Sequence, residues 1–188
     1  GPSPGVGKSF VSANFAAVFA QSDKRVLVVD ADLRRGVMHE QFNVDKGQGL
    51  SEVLSRQTEL KEAIRETQIE GLHFLSRGAA PPNPSELLMS ASFEQSLEAI
   101  KPDYDLIIID TPPILAVTDA AIVGRHAGTS MMVVRFEMNP VKEIELTKSR
   151  FEQNGIEIKG AVFNAIEQRA GAYAAYGYYN YSYKSKAH

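Results

Sequence analysis

The residues whose types and spacing most clearly suggest chemistry stand at the head of the chain. Gly5, Gly7, Lys8 and Ser9 lie in the run GPSPGVGKSF, just before an apolar helical pattern. Glycines let successive backbone N–H groups approach an anion closely. A helix beginning after Ser9 adds its positive end. A lysine here reaches β- and γ-phosphates, and a serine hydroxyl suits Mg²⁺, which takes oxygen ligands in octahedral geometry. Ser3, Pro4, Gly5, Val6, Gly7, Lys8, Ser9 and Phe10 therefore form a candidate phosphate-binding segment. The strict pattern GxxxxGK[ST] asks for glycine where Pro2 stands, and Gly1 is one place early. A Gly/Pro loop before a helix is the alternative reading of this segment alone.

Two further groups of carboxylates end apolar runs. Val26–Val29 leads into Asp30 and Asp32, and Leu106–Ile109 leads into Asp110. Spaced by two, Asp30 and Asp32 point the same way while the chain stays extended. In an open parallel sheet, ligands bind beyond the carboxyl ends of the strands. Both groups then reach the same edge as the glycine loop. Taken singly, each also fits a turn or a helix cap.

The elements that must position these groups follow from periodicity. Helices are expected over 10–21, 50–54, 60–65, 92–100 and 141–154, the last closed by Gly155. Strands are expected over 26–29, 72–75, 105–110, 131–134 and 158–163. Ser85 is the expected cap of a helix beginning at Glu86. Strands separated by helices give βαβ units, hence an α/β fold with a mostly parallel sheet flanked by helices.

Bulk properties narrow the class. The chain has 188 residues and a formal net charge of −3, which suits one soluble domain and argues against a nucleic-acid partner. It has no cysteine, so disulfide and thiolate–metal chemistry are out, and a reducing compartment fits. No apolar run approaches the roughly 20 residues of a membrane-spanning helix. The phosphate loop begins at residue 1, where a buried strand ordinarily precedes it, so the expectation is a piece of a longer chain.

The end of the chain differs from the rest. Tyr173, Tyr176, Tyr178, Tyr179, Tyr181 and Tyr183 fall within a stretch broken by Gly177, Asn180 and Ser182. No period of 2 or 3.6 holds, so a core role is a poor fit, and the composition predicts disorder after Arg169. Aromatic tails also serve as linkers or as stacking platforms for single-stranded nucleic acid; the acidic net charge opposes the latter.

At this point the residues resemble a known family, the cytoplasmic kinase domains of bacterial tyrosine kinases of the Wzc type. The likeness runs along essentially the whole chain. It is carried by GPSPGVGKSF (the family's Walker A), VLVVDADLRR (Walker A′), DLIIIDTPPILAVTDAAIVG (Walker B), PPNPSELLMS, SRFEQNGIEIKG and the tyrosine tail. It implies a three-layer P-loop NTPase fold over 1–169, short at its N-terminus, and a flexible tyrosine-rich tail over 170–188. It implies transfer of phosphate from ATP, with Mg²⁺, to tyrosine. Lys8 would hold the phosphates; Ser9, Asp32 and Asp110 would serve the metal. Asp30, or alternatively Asp32, would accept the tyrosine proton. Asn164 matches an adenine-contacting asparagine, though a turn asparagine fits as well. Arg34 and Arg35 would stabilise transferred phosphate, hold a neighbouring chain, or form a solvated turn; Arg77 matches a phosphate-sensing arginine. The six tail tyrosines would be phosphorylated in trans.

The likeness also implies partners: further copies in a ring, a membrane-spanning polysaccharide co-polymerase region, fused or separate, and a cognate tyrosine phosphatase. The place would be the cytoplasmic side of a bacterial inner membrane, and the process capsule or exopolysaccharide export. The sequence departs from the family at Val37, where some members carry a regulatory tyrosine. Two other readings remain: a partitioning ATPase of the ParA or MinD type, which would carry lysine where Ser3 stands, and a non-catalytic scaffold presenting the tail.

Overall fold

Val26–Asp30 (β1) is buried along its whole length, and its alternation builds the layers. Val26 and Val28 face one side, with Ala13, Ala16, Ala20, Met38 and Phe74. Leu27 and Val29 face the other, with Leu33, Leu50, Leu88, Phe93 and Leu97. A strand apolar on both faces must be covered twice, which is the condition of a parallel sheet between helices. The computed structural model describes residues 1–167. The six tail tyrosines and the domain boundary at 169 lie outside the described residues.

The elements run α1 (Lys8–Ala20), β1, α2 (Met38–Phe42), α3 (Leu50–Leu54), α4 (Leu60–Ala63), β2 (Ile64–Glu66), β3 (Leu72–Leu75), α5 (Pro84–Leu88), α6 (Ala91–Ile100), β4 (Leu106–Asp110), α7 (Asp119–Gly124), β5 (Ser130–Arg135), α8 (Val141–Glu152) and β6 (Ile158–Asn164). Helices α1 and α2 cover one face of the larger sheet; α3 and α6 supply the core on the other. α8 packs with α7 through Phe151, Ala120 and Ala121.

Hydrogen bonding divides the strands into two groups, ordered β2-β3-β1-β4 and β5-β6. β1 pairs in parallel with β3 and β4, and β5 with β6. A cavity of about 640 Å³ lies between the groups, bordered by Ile107 and Ile109 of β4 and Met131 and Val133 of β5. This leaves Leu106–Ile109 only half-buried, although it is the most apolar run in the sequence.

Two local expectations change. The helix expected through residue 65 ends at Ala63, and Ile64–Glu66 turns into β2, antiparallel to β3; β-branched Ile64 suits the strand. Ser85 is not a cap. The helix starts one residue earlier with Pro84 at its first position, Asn83 is the flanking residue, and Ser85 Oγ is bonded elsewhere. The short helices α2 and α7 had no clear apolar period to announce them.

Candidate phosphate-transfer site

The site forms where α1 meets the carboxyl ends of β1 and β4. Gly7 precedes α1 with φ +92°, a left-handed conformation that glycine takes at little cost. A Cβ there would fall 2.2 Å from Asn164 Nδ2. The loop is therefore closed over Asn164, whose Nδ2 donates to Val6 O at 3.0 Å. Ala165 N donates to Asn164 Oδ1 at 2.9 Å. Two more bonds tie the loop down: Asn139 Nδ2 to Ser3 Oγ at 2.9 Å and Arg135 Nη1 to Gly5 O at 3.0 Å. Asn139 and Arg135 had no signal in the sequence beyond their place after a strand.

β1 and β4 are in register, with Asp30 opposite Asp110. By alternation Asp30 shares the face of Val26 and Val28, and Asp110 that of Leu106 and Ile108, the face covered by α1. Ser9 Oγ donates to Asp110 Oδ2 at 2.5 Å, and Ser12 Oγ to Asp110 Oδ1 at 3.2 Å. Burial pushes the Asp110 carboxyl up, with Ser9 and Lys8 pulling it back. Burial also lowers Lys8, against the opposing pull of Asp110 and Asp32. The lysine and both acids thus share one electrostatic environment.

Asp30 is 0% exposed. Asp32 N donates to its Oδ1 at 3.2 Å, and Met38 N to its Oδ2 at 3.3 Å. Burial first, then the neighbouring Asp110, raises its pKa to about 7. Asp32 is only half-buried; its Oδ1 accepts from the backbone of Arg34 at 3.2 Å and Arg35 at 2.9 Å. Lys8, Ser9, Asp30, Asp32 and Asp110 therefore come together as a set.

The basic residues go elsewhere. Arg34 turns from the phosphate loop to Asp119 and Ser85. Arg77 donates from Nε to Gly36 O at 2.7 Å and from Nη1 to Leu33 O at 3.4 Å. Arg35 is exposed, as is Val37.

The donor set fits Mg²⁺ with a nucleotide. No cluster of three or more His, Cys, Asp or Glu side chains suited to a metal is found among the described residues. Mg²⁺ is ordinarily held by one or two carboxylates together with phosphates and waters. Ser9, Asp110 and Asp32 are groups of the kind that would fit such a partial shell.

Fold and site together define a P-loop NTPase of the parallel-sheet kind. Comparison with known proteins agrees: residues 3–134 match the AAA domain family. The tyrosine-protein kinase wzc of Salmonella typhimurium is 51% identical over 185 residues, 98% of this chain and 26% of that protein. The solved kinase domain of Escherichia coli tyrosine kinase ETK is 50% identical with a TM-score of 0.88, over 95% of this chain and 70% of that one. The chain belongs to this family of bacterial tyrosine-kinase domains. The septum site-determining protein MinD of Pyrococcus horikoshii, solved with Mg-ADP, shares the fold at 24% identity and a TM-score of 0.72, over 85% of this chain and 65% of that one. The chain spans about a quarter of the length of the curated kinase it matches. No helix among the described residues is long and apolar enough to cross a membrane.

Proposed function

We propose that this chain is an ATP-dependent protein-tyrosine kinase domain whose acceptors include its own tail tyrosines. The observation that carries the reading is the in-register pair Asp30 and Asp110 beneath the glycine loop, in a chain half identical to a tyrosine-kinase domain.

The loop amides and Lys8 hold the β- and γ-phosphates. Ser9, Asp110 and Asp32 would hold Mg²⁺, which would supply neutralisation of phosphate charge. Phosphoryl transfer asks mainly for position and charge neutralisation. The tyrosine oxygen bonds to the γ-phosphorus, the bond to the β-phosphate oxygen breaks, and ADP leaves. The phenolic proton passes to a carboxylate. Asp30, with a pKa of about 7, is matched to that proton transfer near neutral pH. Because it is 0% exposed, the segment after it must shift for a tyrosine to arrive. Asp32 is the second candidate for the proton.

Tyr173, Tyr176, Tyr178, Tyr179, Tyr181 and Tyr183 are the proposed acceptors, modified in trans by a neighbouring copy. Each phosphate adds about −1.5 to −2 charges, and mutual repulsion would loosen a ring of subunits. The parent protein would belong to capsule or exopolysaccharide export at the bacterial inner membrane, with a co-polymerase region and a phosphatase as partners. The sequence difference from MinD, at 24% identity against 50% for the kinase domain, favours the kinase over the partitioning ATPase.

The test is mass spectrometry of purified chain after incubation with Mg·ATP. Phosphotyrosine within 173–183 is expected. Hydrolysis of ATP with no phosphotyrosine would favour the ATPase reading, and no nucleotide binding in folded protein the scaffold.

A further inference from the structure

Among the described residues, one buried charged side chain lies outside the phosphate-transfer site. Asp119 begins α7 and is 0% exposed. It accepts Arg34 Nε at 2.8 Å on Oδ2 and Arg34 Nη2 at 3.3 Å on Oδ1, a two-pronged contact. Ser85 closes the triangle. Its Oγ donates to Asp119 Oδ1 at 2.7 Å and accepts Arg34 Nη2 at 2.9 Å. Three segments far apart in sequence thus meet at one guanidinium. The pairs Arg25–Asp105, Lys101–Glu98, Lys148–Glu152 and Lys159–Glu157, by contrast, join partners that are both exposed.

Only the Asp119 side of the pair is buried, while Arg34 keeps 38% of its side chain exposed; such a pair is weak evidence for stability in itself, so its use lies in what it holds. Arg34 works in two directions. Its guanidinium reaches to α5 and α7, while its backbone N–H, with that of Arg35, donates to Asp32 Oδ1. On the far side of the same turn, Arg77 grips the carbonyls of Leu33 and Gly36. The turn bearing Asp32 is therefore pinned from both flanks.

We propose that Arg34 is a positioning residue for Asp32, with Asp119 and Ser85 as its anchor. The pinned turn presents the Asp32 carboxylate to the metal and phosphates in one orientation. The consequence for catalysis rests on the kinase reading; the pinning of the turn does not. The proline-rich motif PPNPSELL, which no catalytic role absorbs, then acquires a purpose, because it delivers Ser85 to the anchor.

The experiment compares Arg34→Ala, Arg34→Lys and Ser85→Ala with the parent chain. Misplacing a reacting group by about 1 Å costs up to roughly a hundredfold in rate. Arg34→Ala should therefore lose about ten- to a hundredfold in kcat, with the KM for ATP within about twofold and a raised Mg²⁺ requirement. Arg34→Lys should recover only part, since an ammonium lacks the planar fork. Because Arg34→Ala orphans Asp119, the double change Arg34→Met with Asp119→Leu serves as a second variant: it removes both charges, should fold, and should show the same kcat loss. Hydrogen exchange at the amides of residues 32–38 should quicken in every variant that removes Arg34. Unchanged exchange there overturns the proposal even if the parent chain transfers no phosphate, an outcome that would instead defeat the kinase reading. A lowered Tm with unchanged kcat overturns it too, because it shows a purely structural role.

Discussion

Asp30 and Asp110 occupy partner positions at the ends of β1 and β4 and project from the same face of the sheet. Two carboxylates set side by side in a buried layer oppose each other's ionisation. The protein spreads the cost: Asp110 takes hydrogen bonds from Ser9 and Ser12, and Asp30 takes backbone amides from residues 32 and 38.

The pH dependence of stability follows from that pair. The Asp30 pKa rises from 3.8 to about 7, so between these values the folded chain holds a proton that the unfolded chain has released. The stability contributed by protonated Asp30 is full below about pH 4 and lost as pH rises through about 7. Asp30→Asn removes this penalty but gives up one acceptor for a backbone amide. A net gain of about 1–2 kcal/mol is expected at pH 8 after that loss, and little or none at pH 5. Urea midpoints at the two pH values measure it; an equal change at both would contradict the assigned shift. The same variant should lose phosphotyrosine formation, while retained activity would move the proton acceptor to Asp32.

Ser9→Ala removes the 2.5 Å bond to Asp110. Ser12 still serves that carboxylate, so stability should fall by only about 1 kcal/mol. The Mg²⁺ concentration for half-maximal activity should rise at least about tenfold, the scale on which loss of a metal-site partner is felt. An activity titration with Mg²⁺ decides it, and an unmoved midpoint removes Ser9 from the metal site.

Gly36 packs directly on Asp30. A Cβ there would stand 2.3 Å from Oδ1 and 2.4 Å from Oδ2. Gly36→Ala must push the turn off the carboxylate, at a cost of about 1–3 kcal/mol. Thermal unfolding checks this; a Tm equal to the parent's would mean that the turn yields freely.

Much of this site was legible in the sequence, and the reason is local. Val26–Asp30 and Leu106–Asp110 each end an apolar run in a carboxylate, so alternation and the strand-end rule place both acids at one edge. The glycine loop was legible because backbone geometry demands its residue types. What the sequence hid depends on contacts between distant segments. Arg34 looked like part of a solvated turn or a phosphate clamp, since nothing in its neighbourhood shows that Asp119 lies opposite it. Ser85 looked like a helix cap because serine before an apolar helix ordinarily is one; its hydroxyl instead joins Arg34 and Asp119. Ile64–Glu66 continued a helical pattern and was claimed by pairing with β3, tertiary context overriding a short period.

Transfer of phosphate to tyrosine by this phosphate loop is open to direct test. The most direct measurement is label transfer from γ-labelled ATP to tyrosine in the parent chain and in Lys8→Met, both shown to be folded. Labelled phosphotyrosine is predicted in the parent chain, with its loss in Lys8→Met. Equal labelling of the two proteins would contradict the claim.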